Sequence, residues 1–354
     1  MNILLSAPQL DASGAPSALL RLARGLAPRH SMTLVLRPGA DATLAPQFRE
    51  IGVPVVASAA VPGRFDAALV NTLVQSRAVH TIGPRLPTLW WVHEPRNGLE
   101  LIALRPEVAG GFAIARHLVF PARWQAECLY RPWLGETPWS VVPVGLAFDP
   151  TPMPPPFERA RGKFVLLQVG SLVRRKGADT TLAALSLLDD PKVHVVFIGA
   201  PVERGYLGEL RRIVRADPRL GRRTTFVGGI DDRRVAAYLQ HADGLVMPTR
   251  DDLFPMAVAE ALAAGLPVVA SDLPPIREAM ADGAHGLLVP PDDPPALAAA
   301  IARLRDDPPL RARLGAAGRR LAEERFALDR FVAAMEDVLT RTAGGRSAGN
   351  AAAT

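Results

Sequence analysis

The chain has 354 residues, 49% hydrophobic and 21% charged, an ordinary globular composition that at this length predicts two domains. Its net charge of +6 comes from scattered arginines, with three lysines among 41 basic residues and no polybasic run. That pattern argues against nucleic acid and points instead to phosphorylated ligands or an acidic membrane surface. A single cysteine, Cys128, excludes an internal disulfide and suits a reducing, cytoplasmic compartment. No apolar stretch reaches the roughly 18 residues of a membrane helix.

The start, MNILLSAPQL, lacks a basic region and a small-residue cleavage site, so it reads as a buried first strand rather than a signal peptide. Further short apolar runs predict strands at 32–36, 53–57, 66–70, 88–92, 117–120 and 140–143. Between the first two, Leu19, Leu22, Ala23 and Leu26 form a helical stripe with Arg21 and Arg24 on its solvated side. The run FDPTPMPPPFERARGK, 148–163, holds too many prolines for a packed helix or central strand and is read as an interdomain linker. Strands then resume at 164–169, 194–198, 224–227, 244–247, 267–270 and 286–289. Helices are predicted at 177–188, 205–216, 233–241, 255–264, 296–305, 310–325 and 329–340. The end, AGGRSAGNAAAT, is too polar and glycine-rich to pack and is expected to be disordered. Strands alternating with amphipathic helices predict an α/β protein with two parallel sheets. Ligands bind outside the carboxyl ends of such strands.

Two stretches carry charge at such ends. In DDLFPMAVAEALAAGLPVVAS, 251–271, a loop with Asp252 follows a strand, Pro255 suits the first helical turn, and Glu260 sits in an otherwise apolar helix. A helix apolar all round is usually buried, and a buried carboxylate needs partners. A carboxylate there could accept hydrogen bonds from sugar hydroxyls; the plain alternative is that Asp252 caps the helix and Glu260 is an exposed face residue. In LLQVGSLVRRKGADTTLAAL, 166–185, a strand ends at Gly170, and Arg174, Arg175 and Lys176 precede a helix, the layout of a phosphate site. Neither the Walker spacing nor the dinucleotide G-x-G-x-x-G is present, which counts against a nicotinamide-dependent oxidoreductase. No His pair has metal-ligand spacing, so no metal is expected.

Together these stretches resemble the C-terminal domain of glycosyltransferase family 4. The matching residues are Lys176-Gly177, Pro248-Thr249, Asp252, Glu260-Ala261-Leu262-Ala263, Gly265 to Ser271 (GLPVVAS) and Gly286 to Pro290 (GLLVP), with VVPVGLAFDP before the linker. The acid pair is a D-x-F-P variant of the family's E-x7-E motif. The resemblance implies a GT-B fold: two Rossmann-like parallel-sheet domains facing each other across a cleft. The first, 1–148, would bind the acceptor, with the helix 327–341 packing back on it. After the linker, 149–163, the domain 164–326 would bind the nucleotide sugar, and 342–354 would form the tail.

The resemblance further implies a metal-independent retaining glycosyltransferase without a cofactor. It would move sugar from a UDP- or GDP-linked donor to a hydroxyl acceptor in glycan, glycolipid or glycoconjugate biosynthesis, in the cytoplasm or at the inner membrane face. Asp252, Lys176 and His93 would be catalytic: Asp252 facing the donor sugar, Lys176 holding the diphosphate and His93 in WWVHE lining the cleft. Glu260 would bind the ribose. Gly14, Gly170, Phe254 and Gly229 would line the donor site. Ser171 replaces the usual phosphate arginine, so Arg174 or Arg175 would supply that charge. Asp252 is one methylene shorter than the usual Glu, and Pro255 removes a backbone donor. These departures keep open a non-catalytic GT-B scaffold or partner subunit. A structural histidine bonded to Glu94 is the alternative for His93.

Overall fold

A computed structural model describes residues 1–11, 13–57, 63–147, 151–157, 162–253 and 255–344. The chain divides into two compact units, Met1–Ala147 with Phe326–Thr354, and Phe148–Arg325.

The first unit is built on a parallel sheet of seven strands among the described residues. They are β1 (Asn2–Ala7), β2 (Ser31–Leu36), β3 (Val55–Ala57), β4 (Ala67–Asn71), β5 (Thr88–Trp91), β6 (His117–Phe120) and β7 (Trp139–Val141), in the order β3-β2-β1-β4-β5-β6-β7. Every residue of β4, β5 and β6 is buried, as expected of strands covered on both faces. The chain leaves β1 towards β2 and later returns to add β4 on the other side, with Ser6 in register with Val70. Loops following β1 and β4 therefore diverge at the carboxyl edge, where open α/β sheets bind ligands.

The second unit repeats the plan with six strands among the described residues. These are β8 (Phe164–Val169), β9 (Val193–Ile198), β10 (Thr224–Gly228), β11 (Gly244–Met247), β12 (Val268–Ser271) and β13 (Leu287–Val289), in the order β10-β9-β8-β11-β12-β13. Its switch lies between β8 and β11, with Leu167 beside Leu245. Here the loops after these two strands are the two charged stretches of the sequence. Leu166, Leu182, Leu185, Phe197, Val246, Ile301 and Leu304 belong to the apolar core between sheet and helices.

Some expected boundaries move. The helix bearing Glu260 is Met256–Ala263, with Pro255 one residue before it rather than in its first turn. The last helix runs Leu328–Gly344, so Thr342 to Gly344 are helical where the composition suggests tail; residues after 344 lie outside the described ones. Its apolar stripe of Phe331, Val332, Met335, Val338 and Leu339 is buried against the first unit. Glu336 there pairs with Arg29 at 2.7 Å and His30 at 2.6 Å. Described residues of the proline-rich run also pack: Phe157 stacks on Tyr238 at 5.6 Å and Met153 N–H donates to Gln240 at 2.9 Å. No helix among the described residues is long and apolar enough to cross a membrane.

Candidate functional site

In the second unit the chain leaves β8 at Gly170 and makes a short 3-10 turn, Arg174–Lys176, before the helix Ala178–Leu187. Gly177 joins the two with φ +67°, and a Cβ there would lie 2.0 Å from the Pro248 carbonyl oxygen. Only glycine allows this turn to approach the loop after β11 so closely. Thr249, fully buried, donates its hydroxyl to the Arg175 carbonyl at 2.9 Å, and Arg250 N–H donates to the same carbonyl at 2.7 Å. Gln168 reaches from β8 to the Lys176 carbonyl at 2.7 Å and accepts from Thr181 at 2.7 Å.

This stitching brings Lys176 onto Asp252. The ammonium forms an ion pair with Asp252 Oδ2, and Arg175 Nη1 stands 4.0 Å from the same oxygen. Asp252 is 9% exposed, and its other oxygen accepts from the Leu253 N–H at 3.0 Å. It caps no helix: no side chain caps Met256–Ala263. Glu260 is half-buried on that helix, while Ala257, Val258, Ala259, Ala261 and Leu262 are buried. Facing the sheet takes the small residues inward and leaves the glutamate at the margin.

The two arginines part company. Arg174 turns away to Glu203 at 2.9 Å and Glu209 at 2.5 Å, and lies 5.2 Å from the centre of the Tyr206 ring. Arg175 is exposed and remains beside Asp252, so of the two it is the one near Lys176 and Asp252. Gly170 has φ +142°, with Lys176 Cε 3.8 Å from where a Cβ would stand. Gly229 is exposed in the loop after β10, and Phe254 lies outside the described residues.

Arg250, which the motif reading passes over, organises the whole loop pair. Its guanidinium donates to Asp179 at 3.0 and 2.9 Å, to Asp292 at 2.6 Å and to the Arg174 carbonyl. Asp179 also accepts from the Tyr206 hydroxyl at 2.7 Å. Burial alone would raise the Asp179 carboxyl, but the hydrogen bonds from Arg250 and Tyr206 carry it below the usual carboxylate range. The same Asp179 bonds outweigh partial burial and hold Arg250 above its ordinary value. Bidentate pairing of this kind fixes geometry as well as charge. A sequence signal exists only in hindsight: an arginine directly after Pro-Thr, with an aspartate two residues after Lys176-Gly177.

In the first unit, Gly14 opens the helix Gly14–Leu26, with nothing within 4 Å of where a Cβ would project. His93 follows β5 and is half-buried; desolvation by the protein around its ring pushes it down to about 3. Its Nε2 lies 2.9 Å from Asn71 Oδ1, and its ring centre is 4.2 Å from that of Trp91. Glu94 engages the backbone rather than the ring: its carboxylate accepts the N–H groups of Leu73 at 2.8 Å and His93 at 3.0 Å. Burial raises Glu94 despite these backbone donors. A wide π turn, Gln125–Tyr130, delivers Gln125 to the Val92 and Glu94 carbonyls at 3.1 and 3.0 Å and Tyr130 to the Glu94 carbonyl at 3.0 Å. The segment bearing His93 is thus held from two sides.

Residues 153–321, essentially the second unit, match the family model described as Glycosyl transferases group 1. D-inositol 3-phosphate glycosyltransferase of Jonesia denitrificans is 34% identical over 185 residues, which is 50% of this chain and 43% of that protein. Phosphatidyl-myo-inositol mannosyltransferase of Mycolicibacterium smegmatis is 39% identical over 141 residues, 39% of this chain and 35% of that one. Glycogen synthase of Mycobacterium tuberculosis is 34% identical over 149 residues, 42% and 35% respectively. The chain thus spans half or less of the length of these curated relatives. Among solved structures, HepE of Anabaena in complex with UDP and glucose matches with a TM-score of 0.80 at 18% identity, over 96% of this chain and 99% of that one. Sucrose-phosphate synthase of Thermosynechococcus elongatus matches at 0.79 and 22%, over 96% and 98%. At these identities the likeness is one of fold, and the fold is GT-B, with two parallel-sheet Rossmann-like units.

Proposed function

We propose that the protein is a retaining glycosyltransferase that moves a sugar from a UDP- or GDP-linked donor to a hydroxyl acceptor, without a metal. The observation that carries this reading is the pairing of Lys176 and Arg175 with Asp252 at the β8/β11 switch. Two cations beside a helix start suit a diphosphate, and the charge that develops on it as it departs is stabilised by groups already in place. Before donor binds, Asp252 neutralises Lys176. On binding, the ammonium turns to the diphosphate, and the freed carboxylate accepts hydrogen bonds from the donor sugar. Glu260 accepts from the ribose hydroxyls, a charged interaction of about 1.5–3 kcal/mol. The diphosphate takes the acceptor proton on the same face, which accounts for retention. His93 and Gly14, in the first unit, take the acceptor and the reacting sugar. HepE, bound to UDP and glucose, and the inositol and glycogen transferases support the class of donor and reaction.

The test is a calorimetric titration with UDP, GDP and their sugars, followed by an assay of sugar release or transfer. Binding of one nucleotide at micromolar concentration, lost in Lys176→Ala, is the expected result. No binding of either, or binding indifferent to both Lys176→Ala and Glu260→Ala, overturns the assignment.

A further inference from the structure

The polar chain behind His93 determines which of its ring nitrogens carries the proton. Asn71 ends β4 fully buried. Its amide bridges two groups, lying 3.3 Å from the Ala15 carbonyl in the first turn of the Gly14–Leu26 helix and 2.9 Å from His93 Nε2. A carbonyl oxygen can only accept, so the atom facing Ala15 must be Nδ2 and the atom facing His93 must be Oδ1. An amide oxygen also only accepts, so His93 Nε2 must donate. His93 is neutral at ordinary pH, and the second nitrogen of a neutral imidazole whose Nε2 is protonated is a bare acceptor. Nδ1 has no hydrogen-bond partner among the described residues.

The support behind Asn71 is unusually stiff. Thr72, the next residue, holds φ 76° and ψ 153°, a region that β-branched residues avoid. That conformation is pinned on both sides: Thr72 N–H donates to the Trp91 carbonyl at 2.8 Å, and Trp90 Nε1 donates to the Thr72 carbonyl at 2.8 Å. Leu73 N–H is then aimed at Glu94. Backbone strain held this firmly belongs with sites whose geometry matters.

We infer that Asn71 is a positioning residue that locks His93 as the Nε2–H tautomer, so that His93 meets its substrate through Nδ1 as a hydrogen-bond acceptor, taking a sugar or acceptor hydroxyl and rejecting phosphate oxygens. The substrate half of this inference rests on the glycosyltransferase reading; the tautomer does not. Two acceptors facing each other repel, so a bare Nδ1 discriminates hydroxyl from phosphate without any change of charge. Glu94 is the titratable side chain bonded to the His93 segment, and it takes the backbone N–H; Asn71, Ala15 and Trp91 bring no charge.

The experiment is long-range 1H–15N NMR of the full chain labelled in histidine, read first without substrate. A protonated Nε2 with a bare Nδ1, unchanged from pH 8 to pH 5, is expected. A protonated Nδ1, or an imidazolium forming above pH 5, overturns the tautomer assignment. Asn71→Asp puts a carboxylate against Nε2 and should raise the His93 midpoint from about 3 by roughly two to three units, into the range 5 to 6. Its kcat/KM should then fall about tenfold between pH 8 and one unit below that midpoint, while the parent stays flat over the same range. Asn71→Leu, which removes the acceptor, should lose kcat/KM about tenfold with nucleotide affinity unchanged. A flat Asn71→Asp profile, or a parent-like Asn71→Leu, overturns the role in substrate recognition. Should the protein transfer no sugar, the NMR result still decides the tautomer, so the two readings fail separately.

Discussion

The two sheets share a plan and differ in what they place at its critical edge. After β8 and β11 stand Lys176, Arg175, Asp252, Arg250 and Asp179, charges cross-paired between the two loops, Arg250 with Asp179 through two parallel bonds. After β1, β4 and β5 stand Asn71, a neutral His93 and Thr72, and the acid there, Glu94, is pushed up by burial. A shared strand order around the switch thus presents an ionic edge in one unit and a desolvated edge built on neutral side chains in the other. Ionic groups suit a diphosphate; neutral donors and acceptors suit hydroxyls, which gain little from a full charge and are recognised by direction.

The contrast can be broken most severely at Lys176. Lys176→Ala leaves Asp252 with Arg175 alone where the diphosphate should sit, and kcat/KM should fall about 10²- to 10³-fold with the fold intact by circular dichroism. An unchanged rate would remove the ionic edge from the chemistry. Gly177→Ala forces a Cβ against the Pro248 carbonyl in a left-handed turn and should destabilise the second unit by about 2–4 kcal/mol, read as an earlier urea midpoint. Glu260→Ala should weaken UDP or GDP binding roughly 10- to 100-fold by calorimetry, the worth of a charged hydrogen bond.

Acid should sharpen the comparison by loosening the first unit. His93 is lowered to about 3 and His117 to about 4, chiefly by burial. A histidine whose folded value is depressed contributes stability that is complete above its unfolded value of about 6.5 and is lost as pH falls through the window down to the folded value. Each can remove up to about 1.4 kcal/mol per pH unit there. Glu94, raised by burial, acts in the opposite sense, so His93→Gln is needed to isolate the histidine contribution. All five tryptophans, at 90, 91, 124, 133 and 139, lie in the first unit. Tryptophan fluorescence between pH 6.5 and 4 should therefore report a falling melting temperature, less steep in His93→Gln. The smallest effect is expected at Arg174, whose exposed pairs with Glu203 and Glu209 are a surface feature. Arg174→Ala should leave nucleotide affinity and melting temperature unchanged within error, whereas Arg175→Ala should weaken nucleotide binding.

How legible this was depends on whether the cause is local. The runs of β4, β5, β6, β8 and β11 are buried on both faces, so their apolar character alone marks them as strands. Lys176-Gly177, Asp252 and Glu260 could be singled out because a charge after a strand or inside an apolar helix conflicts with its surroundings. The helix boundary at Pro255 and the extension of the last helix to Gly344 were less readable, since end residues have weak preferences and neighbours decide.

The amino-acid order by itself determined the alternating α/β plan, the two-unit division of labour between apolar strands and charged loops, and the stretches in which acid and base recur, because these follow from periodicity and burial along the chain. The tertiary structure alone decided that Arg174 leaves the site while Arg175 stays, that Arg250 binds Asp179 across 71 positions, and that Asn71 stands between His93 and Ala15. Those outcomes depend on distances and directions between residues remote in sequence, which parallel strand order creates and no local pattern encodes.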